Sequence, residues 1–288
     1  MIDFFTPARR PMIMGIVNIN DDSFSGDGSL DAAVIIQQCR DQIAAGADVI
    51  DLGAESARTN REAISEAEEI RRLEMVLAQW DTMIAEAQPR DAIQVFPPIL
   101  SVNTWRPAVI RAVLSPAKAY GVRLINDMSA LAYPETLPLV ANSDASLLIM
   151  HSVGLPKQDH THVSWHDMMA ELQRFFTEKV QQAQDAGVPA ERLVLDPGLD
   201  FAKTSAEGVE IVSRVGELAD HGCPVLVPLS RKQFVGDMIG EERPPHRDAG
   251  TLACLPSVMC LPACIVRVHA VDATWQALRV LAPMHTPG

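Results

Sequence analysis

Residues 31–52, DAAVIIQQCRDQIAAGADVIDL, hold the unit from which the rest of the chain is built. Apolar residues recur at helical spacing through 31–45, and Gly46 stops the helix. The next apolar run, 49–52, is too short for a helix and suits a buried strand. The same kind of run recurs along the chain at 12–17, 49–52, 99–102, 124–125, 146–150, 193–195, 225–229 and 264–268. Longer helical stretches separate these runs. Residues 65–87 place Glu66, Glu68 and Glu69 in the first turns, where the helix dipole favours acids, beside Ile70, Leu73, Val76 and Leu77. Residues 165–186 form another long helix, closed by Gly187.

Strands that alternate with helices imply right-handed crossovers and a parallel sheet. Eight repeats are the number that closes into an α/β fold of the (β/α)8 TIM barrel type. A doubly wound open sheet would carry a glycine-rich turn after its first strand. Here Gly15 precedes the end of that strand and no G-x-G-x-x-G comes after it, which favours the barrel. Residues 88–98 read as a loop and 283–288 as a loose tail. With no linker of boundary composition, residues 1–288 are expected to form a single domain.

The 288 residues are 48% apolar but only 5% aromatic, so the core must rest on Ala, Val, Leu, Ile and Met. A formal net charge of −13 argues against nucleic acid or an anionic membrane as the partner. An anionic substrate would need cations gathered locally. The five cysteines show no metal or redox spacing, and Cys254, Cys260 and Cys264 are read as core thiols. With no secretory start and no apolar run of membrane length, a reduced, cytoplasmic protein is expected.

The residues at and just past the end of each apolar run carry the chemistry. In chain order these are Asn18; Asp51 with Glu55; Asn103; Asn126 with Asp127; His151; Asp196; Ser230, Arg231 and Lys232; and Arg267 with His269. In a barrel these positions converge on the C-terminal face, where active sites of this fold lie. Asn103, Asn126 and Asp196 suit the edge of a flat heterocycle, because a carboxylate accepts two parallel hydrogen bonds from an amidine-like edge. A pterin offers that edge. Lys232, Arg267 and His269, joined by Arg58, suit an anion such as a diphosphate. Asn18 supplies a hard oxygen of the kind Mg2+ takes alongside substrate phosphates.

Other polar residues have plainer readings. Asp51 and Glu55 organise the barrel mouth, and Asp127 serves equally well as a helix cap or a ligand. His160, His162 and His166 read as a solvated loop, Arg71 and Arg72 as a solvated helix face, and Met168 and Met169 as packing.

Residues 14–28, MGIVNINDDSFSGDG, and 46–58, GADVIDLGAESAR, resemble two signatures of the dihydropteroate synthase family. SVNT at 101–104, IND at 125–127, MH at 150–151, DPG at 196–198, SRK at 230–232, AGTLA at 249–253 and RVH at 267–269 come in that family's order. The resemblance implies that p-aminobenzoate displaces diphosphate from 7,8-dihydropterin-6-ylmethyl diphosphate to give 7,8-dihydropteroate in folate biosynthesis. It implies that Asn103, Asn126, Asp196 and Lys232 hold the pterin, while Asn18, Arg58, Arg267 and His269 receive the diphosphate, with Mg2+ at Asn18. Ser230 and Phe201 lie near the arylamine. Lys232, Arg267, His269 and Arg58 form the catalytic set, and a homodimer is expected.

The chain departs from the family pattern locally. A usual Thr-Pro is Asn20-Asp21, and the second loop reads Ser56-Ala57-Arg58-Thr59-Asn60. Asn103 replaces an aspartate, Asp200 and Ala202 replace glycines, and Gln233 replaces a serine. The alternatives are a pterin-dependent methyltransferase, against which the three cations count, and a paralogue that binds pterin with altered or no arylamine transfer. A barrel acting on a sugar phosphate would not need so many ring-edge amides.

Overall fold

Each of the eight apolar runs forms a strand: β1 (Met12–Asn18), β2 (Val49–Gly53), β3 (Ile99–Asn103), β4 (Val122–Asp127), β5 (Ser146–Met150), β6 (Leu193–Asp196), β7 (Val225–Val227) and β8 (Cys264–Val268). All neighbours pair in parallel and β8 closes on β1, giving the expected barrel. This computed structural model describes residues 2, 4, 10–20, 28–55, 62–158 and 163–285. The α-helices among them are α1 (Ala32–Ala44), α2 (Glu66–Leu77), α3 (Trp80–Glu86), α4 (Pro107–Val113), α5 (Thr136–Ala141), α6 (Met168–Asp185), α7 (Ser205–Ser213), α8 (Gln233–Ile239), α9 (Asp248–Ala253) and α10 (Val271–His285).

Alternation along the strands sorts the side chains into two cores. Met14, Val49, Ile99, Leu124, Leu148, Val194, Leu226 and Ile265 pack together inside the barrel. Their neighbours Ile13, Ile50, Leu100, Ile125, Leu147, Leu195 and Val266 belong to the larger core between strands and helices. Each such buried aliphatic side chain contributes roughly 1.5–3 kcal/mol. Met168 and Met169 are also fully packed there.

Local chemistry sets the helix ends. The Asp31 carboxylate accepts from Ala33 N–H, Ser65 from Glu68 N–H, and Asp167 from Ala170 N–H. The Asp167 cap makes α6 start later than the helical pattern from residue 165 suggests. Gly46 adopts φ +102°, and a Cβ there would lie 2.5 Å from the Trp275 ring. Residues 65–87 form two helices rather than one. The Gln79 amide donates to Met75 O and Gln79 N–H bonds three residues back to Val76 O, closing α2 before Trp80 turns into the core.

Two further readings are corrected. Arg71 lies on the solvated face, but Arg72 is largely buried, donating to Glu68 and to Ala54 O beyond β2. Cys264 is buried, whereas Cys260 is exposed and Cys254 half-buried, because both sit on the short helical turns before β8.

The N-terminal end of the barrel is tied by one buried carboxylate. Asp48 accepts from Arg10 Nη1 at 2.7 Å and Nη2 at 3.3 Å, from Ile13 N–H at 2.7 Å and from Val95 N–H at 2.9 Å. It thereby joins the chain before β1 to β2 and to the 88–98 loop. Removing one partner of a buried ion pair strands the other. Asp48→Ala is expected to lower stability by about 3–5 kcal/mol. Urea unfolding measures it, and a loss below about 1 kcal/mol would show that Arg10 finds water instead.

Candidate active site

The strand parity that places Val49, Leu124, Val194 and Ile265 inside the barrel also turns Asp51, Asn126, Asp196 and Arg267 inward, two residues further on. All four are buried. Buried polar groups need partners, so their pairing is informative. Asp51 accepts from Ser101 Oγ at 2.6 Å and from Asn126 Nδ2 at 2.8 Å. This matches its reading as an organising residue. It also fixes the Asn126 amide, whose Oδ1 has no partner among the described residues.

Asp196 is similarly half used. One oxygen accepts from Gly198 N–H at 2.7 Å, while Oδ2 has no hydrogen bond among the described residues and faces Arg267 Nη1 at 3.4 Å. Arg267 Nη1 is likewise without a hydrogen bond there. Asn126 Oδ1 and the ion-paired Asp196 Oδ2 and Arg267 Nη1, carried on β4, β6 and β8, thus keep unused hydrogen-bonding capacity facing the barrel interior. Burial pushes the Asp196 carboxyl above its usual range, and the Arg267 charge and Gly198 N–H pull against that shift. A ligand that gives N–H donors to Oδ2 would favour the ionised form.

Around these inward-facing groups stand the other candidates. Asn18, Gly53, Asn103 and Asn126 lie at one level across four adjacent strands. A Cβ at Gly53 would sit in ordinary contact with Asn103 Cβ at 3.8 Å and Asn18 Oδ1 at 3.9 Å, and the Asn103 amide donates to Met128 Sδ. Lys232 Nζ donates to Leu199 O at 2.8 Å and lies 5.7 Å from the Phe201 ring centre. Burial lowers its pKa. Ser230 Oγ lies 2.8 Å from His269 Nδ1. The structure therefore brings Asn18, Asn103, Asn126, Asp196, Phe201, Ser230, Lys232, Arg267 and His269 to one end of the barrel. Arg58, Ala57, Thr59, Asp21, His160 and His162 lie outside the described residues.

Asp127 accepts from Ser129 and Leu131 N–H and so caps the turn after β4; it is not a helix cap, since α5 begins only at Thr136. Glu55 pairs with Arg106 at 2.6 Å and Lys157 at 3.2 Å, holding the start of the second loop.

Lys203 is the residue that sequence reasoning missed. Its Nζ donates to Phe201 O at 3.0 Å and sits 2.8 Å from His151 Nδ1. Trp165 Nε1 donates to Ala202 O. The loop after β6 is thus clamped by its carbonyls, with Asp200 at φ +70° and Ala202 at φ +51°. The only signal in the sequence is a lone cation two residues past Phe201. Burial pushes the Lys203 amine down to about 7 and, with the nearby Lys203 charge, the His151 imidazole down to about 2.

Among known families, the one described as "Pterin binding enzyme" matches residues 14–269. The dihydropteroate synthase of Escherichia coli K12 is 34% identical over 274 residues, covering 94% of this chain and 91% of that protein. The structure of Yersinia pestis dihydropteroate synthase with a sulfonamide drug complex superposes with a TM-score of 0.84 at 32% identity, covering 98% and 96% of the two chains. The Xanthomonas albilineans dihydropteroate synthase with 4-aminobenzoic acid gives 0.81 at 32% identity, covering 98% and 95%.

The buried His151 has a direct pH consequence. Its folded pKa, about 2, lies below the usual value of 6.5, so the unfolded chain binds the proton first. Its contribution to stability is intact above pH 6.5 and is lost as pH falls from there. By pH 5 the loss reaches about 2 kcal/mol. Denaturant unfolding at pH 7.5 and 5.0 should show this loss in the native protein and not in His151→Asn, which keeps an acceptor for Lys203. Equal pH slopes in the two proteins would remove His151 as the cause.

Proposed function

We infer that this chain, which belongs to the pterin-binding enzyme family, is a dihydropteroate synthase, joining a dihydropterin diphosphate to p-aminobenzoate in folate biosynthesis. The observation that carries the reading is the set of inward-facing atoms without a hydrogen bond among the described residues, Asn126 Oδ1, Asp196 Oδ2 and Arg267 Nη1, buried at the mouth of the barrel. A pterin edge presents the amidine-type donors that Asp196 lacks and a ring amide that Asn126 can read. The Escherichia coli and Xanthomonas albilineans relatives, the latter holding 4-aminobenzoic acid, support the same pair of substrates.

In this reading Asn103, Asn126, Asp196 and Lys232 hold the ring. Arg58, Arg267, His269 and Asn18 receive the diphosphate, and Ser230 and Phe201 border the arylamine. The C–O bond to the diphosphate breaks with its electron pair going to the leaving oxygen. The arylamine nitrogen forms the new C–N bond and gives up a proton. Arg267 and Lys232 act by being fixed before charge develops, which is where buried cations help most. No side-chain nucleophile is required.

Mg2+ fits this arrangement only in part through protein atoms. Among the described residues no three His, Cys, Asp or Glu side chains gather to cage a metal, which suits an ion held chiefly by substrate phosphates. Asn18 would contribute an oxygen, and the bound ion would supply charge neutralisation at the departing diphosphate. The whole chain is read as one domain, 1–288. Among the described residues no helix is long and apolar enough to cross a membrane, and a cytoplasmic setting agrees with the unpaired cysteines. Met238 and Ile239 of α8 and Val209 of α7 are exposed apolar residues, a feature compatible with the expected homodimer.

Asp196→Ala and Lys232→Ala should each weaken pterin binding by at least about tenfold, as loss of a buried charged hydrogen-bond partner does. Calorimetric titration with a pterin tests this, and unchanged affinity in both variants would dismiss the ring site. Diphosphate release with Mg2+ and the dihydropterin diphosphate should depend on p-aminobenzoate, with dihydropteroate appearing in equal amount. Tight pterin binding without arylamine-dependent release would reduce the protein to a pterin binder.

A further inference from the structure

Asp200 adopts a left-handed backbone, φ +70°, which a side chain other than glycine occupies at a cost. It sits next to Phe201, and its carboxylate reaches across to the segment after β7. There it accepts from Gln233 N–H at 3.1 and 3.3 Å and lies 3.8 Å from Lys232 Nζ. The side chain remains one-third exposed, at 32%.

The neighbouring donors are also taken. The Gln233 side-chain amide donates to Asp237 at 2.7 Å. Arg231 is held by Asp248 at 2.8 and 3.0 Å. Arg247 is buried and donates to the carbonyls of Arg231, Lys232, Glu241 and Glu242. Lys203 is turned toward His151 and Phe201 O. Among the described residues, Lys232 is the cation that lies over the Phe201 ring, and the Asp200 carboxylate is 3.8 Å from it.

We propose that Asp200 is a specificity-determining residue that weakens this pocket's preference for an anionic arylamine over a neutral one. The proposal rests on the reading of Phe201 and Ser230 as the arylamine side. A carboxylate on the acceptor meets a resident carboxylate and a cation already paired, whereas a neutral amide in the same place suffers no repulsion. The effect is a partly exposed, solvent-screened charge interaction, so it is modest and salt-dependent.

The test measures KM for 4-aminobenzoate and for its neutral isostere 4-aminobenzamide at saturating dihydropterin diphosphate and Mg2+. Native protein, Asp200→Asn and Asp200→Gly are compared. Asp200→Asn keeps an oxygen for Gln233 N–H and removes only the charge. It should lower KM for 4-aminobenzoate about two- to fivefold and leave that for 4-aminobenzamide unchanged, the difference shrinking in about 0.5 M salt. Asp200→Gly should move the ratio in the same direction. Equal changes for both acceptors, or none for either, would overturn the proposal while leaving the synthase reading intact. If the native protein transfers to neither acceptor, the synthase reading fails and the proposal goes with it.

Discussion

In a closed barrel every second side chain of a strand must point inward, and the residues of this site inherit their direction from that constraint. Val49 precedes Asp51 by two places, Leu124 precedes Asn126, Val194 precedes Asp196 and Ile265 precedes Arg267. Once the apolar member of each pair fills the interior, the polar member is committed to the interior as well. Four polar groups then share a volume with little water, where each unpaired atom is costly. Asp51 resolves part of the conflict by accepting from Ser101 and Asn126. The remainder is left to Asn126 Oδ1, Asp196 Oδ2 and Arg267 Nη1, and this unused hydrogen bonding is the capacity to bind.

The same constraint explains what could be read without coordinates. Strand runs are short, apolar and regularly spaced, so their number and their polar ends are visible in the sequence. Eight ends mean eight positions on one face. The partners of those ends are not visible, because hydrogen bonds such as Asp51 to Asn126 span 75 residues and depend on register between strands. Nor could periodicity divide residues 65–87 into two helices, since the break depends on one glutamine amide turning back onto Met75 O. Arg72 shows the same limit: beside Arg71 in a charged helix, it differs only because Ala54 O lies within its reach. Lys203 escapes notice because a single lysine in a loop carries no pattern. Its importance comes from the His151 and Phe201 atoms that surround it.

Of the described residues that depart from the family pattern, Asp200 and Ala202 lie in the loop after β6, Gln233 opens α8, and Asn103 belongs to a strand end. Loops tolerate change because their backbone is not committed to a ladder. The positions at 200 and 202 are less free than most, since both are left-handed. Gly198, earlier in the same loop, could not change at all: a Cβ there would lie 2.1 Å from His151 O. So within one short loop Gly198 is required by space, while Asp200 and Ala202 hold left-handed backbone with a side chain in place.

That contrast separates the two halves of the site in physical terms. Inside the barrel mouth, substitution would strand a buried partner: Asp51 would lose the Asn126 amide, and Arg267 would lose the Asp196 carboxylate. In the loop after β6, the Asp200 carboxylate is partly exposed and water can take the place of a lost contact. Asp200 could enter there despite a strained φ, because its carboxylate meets Gln233 N–H and Lys232.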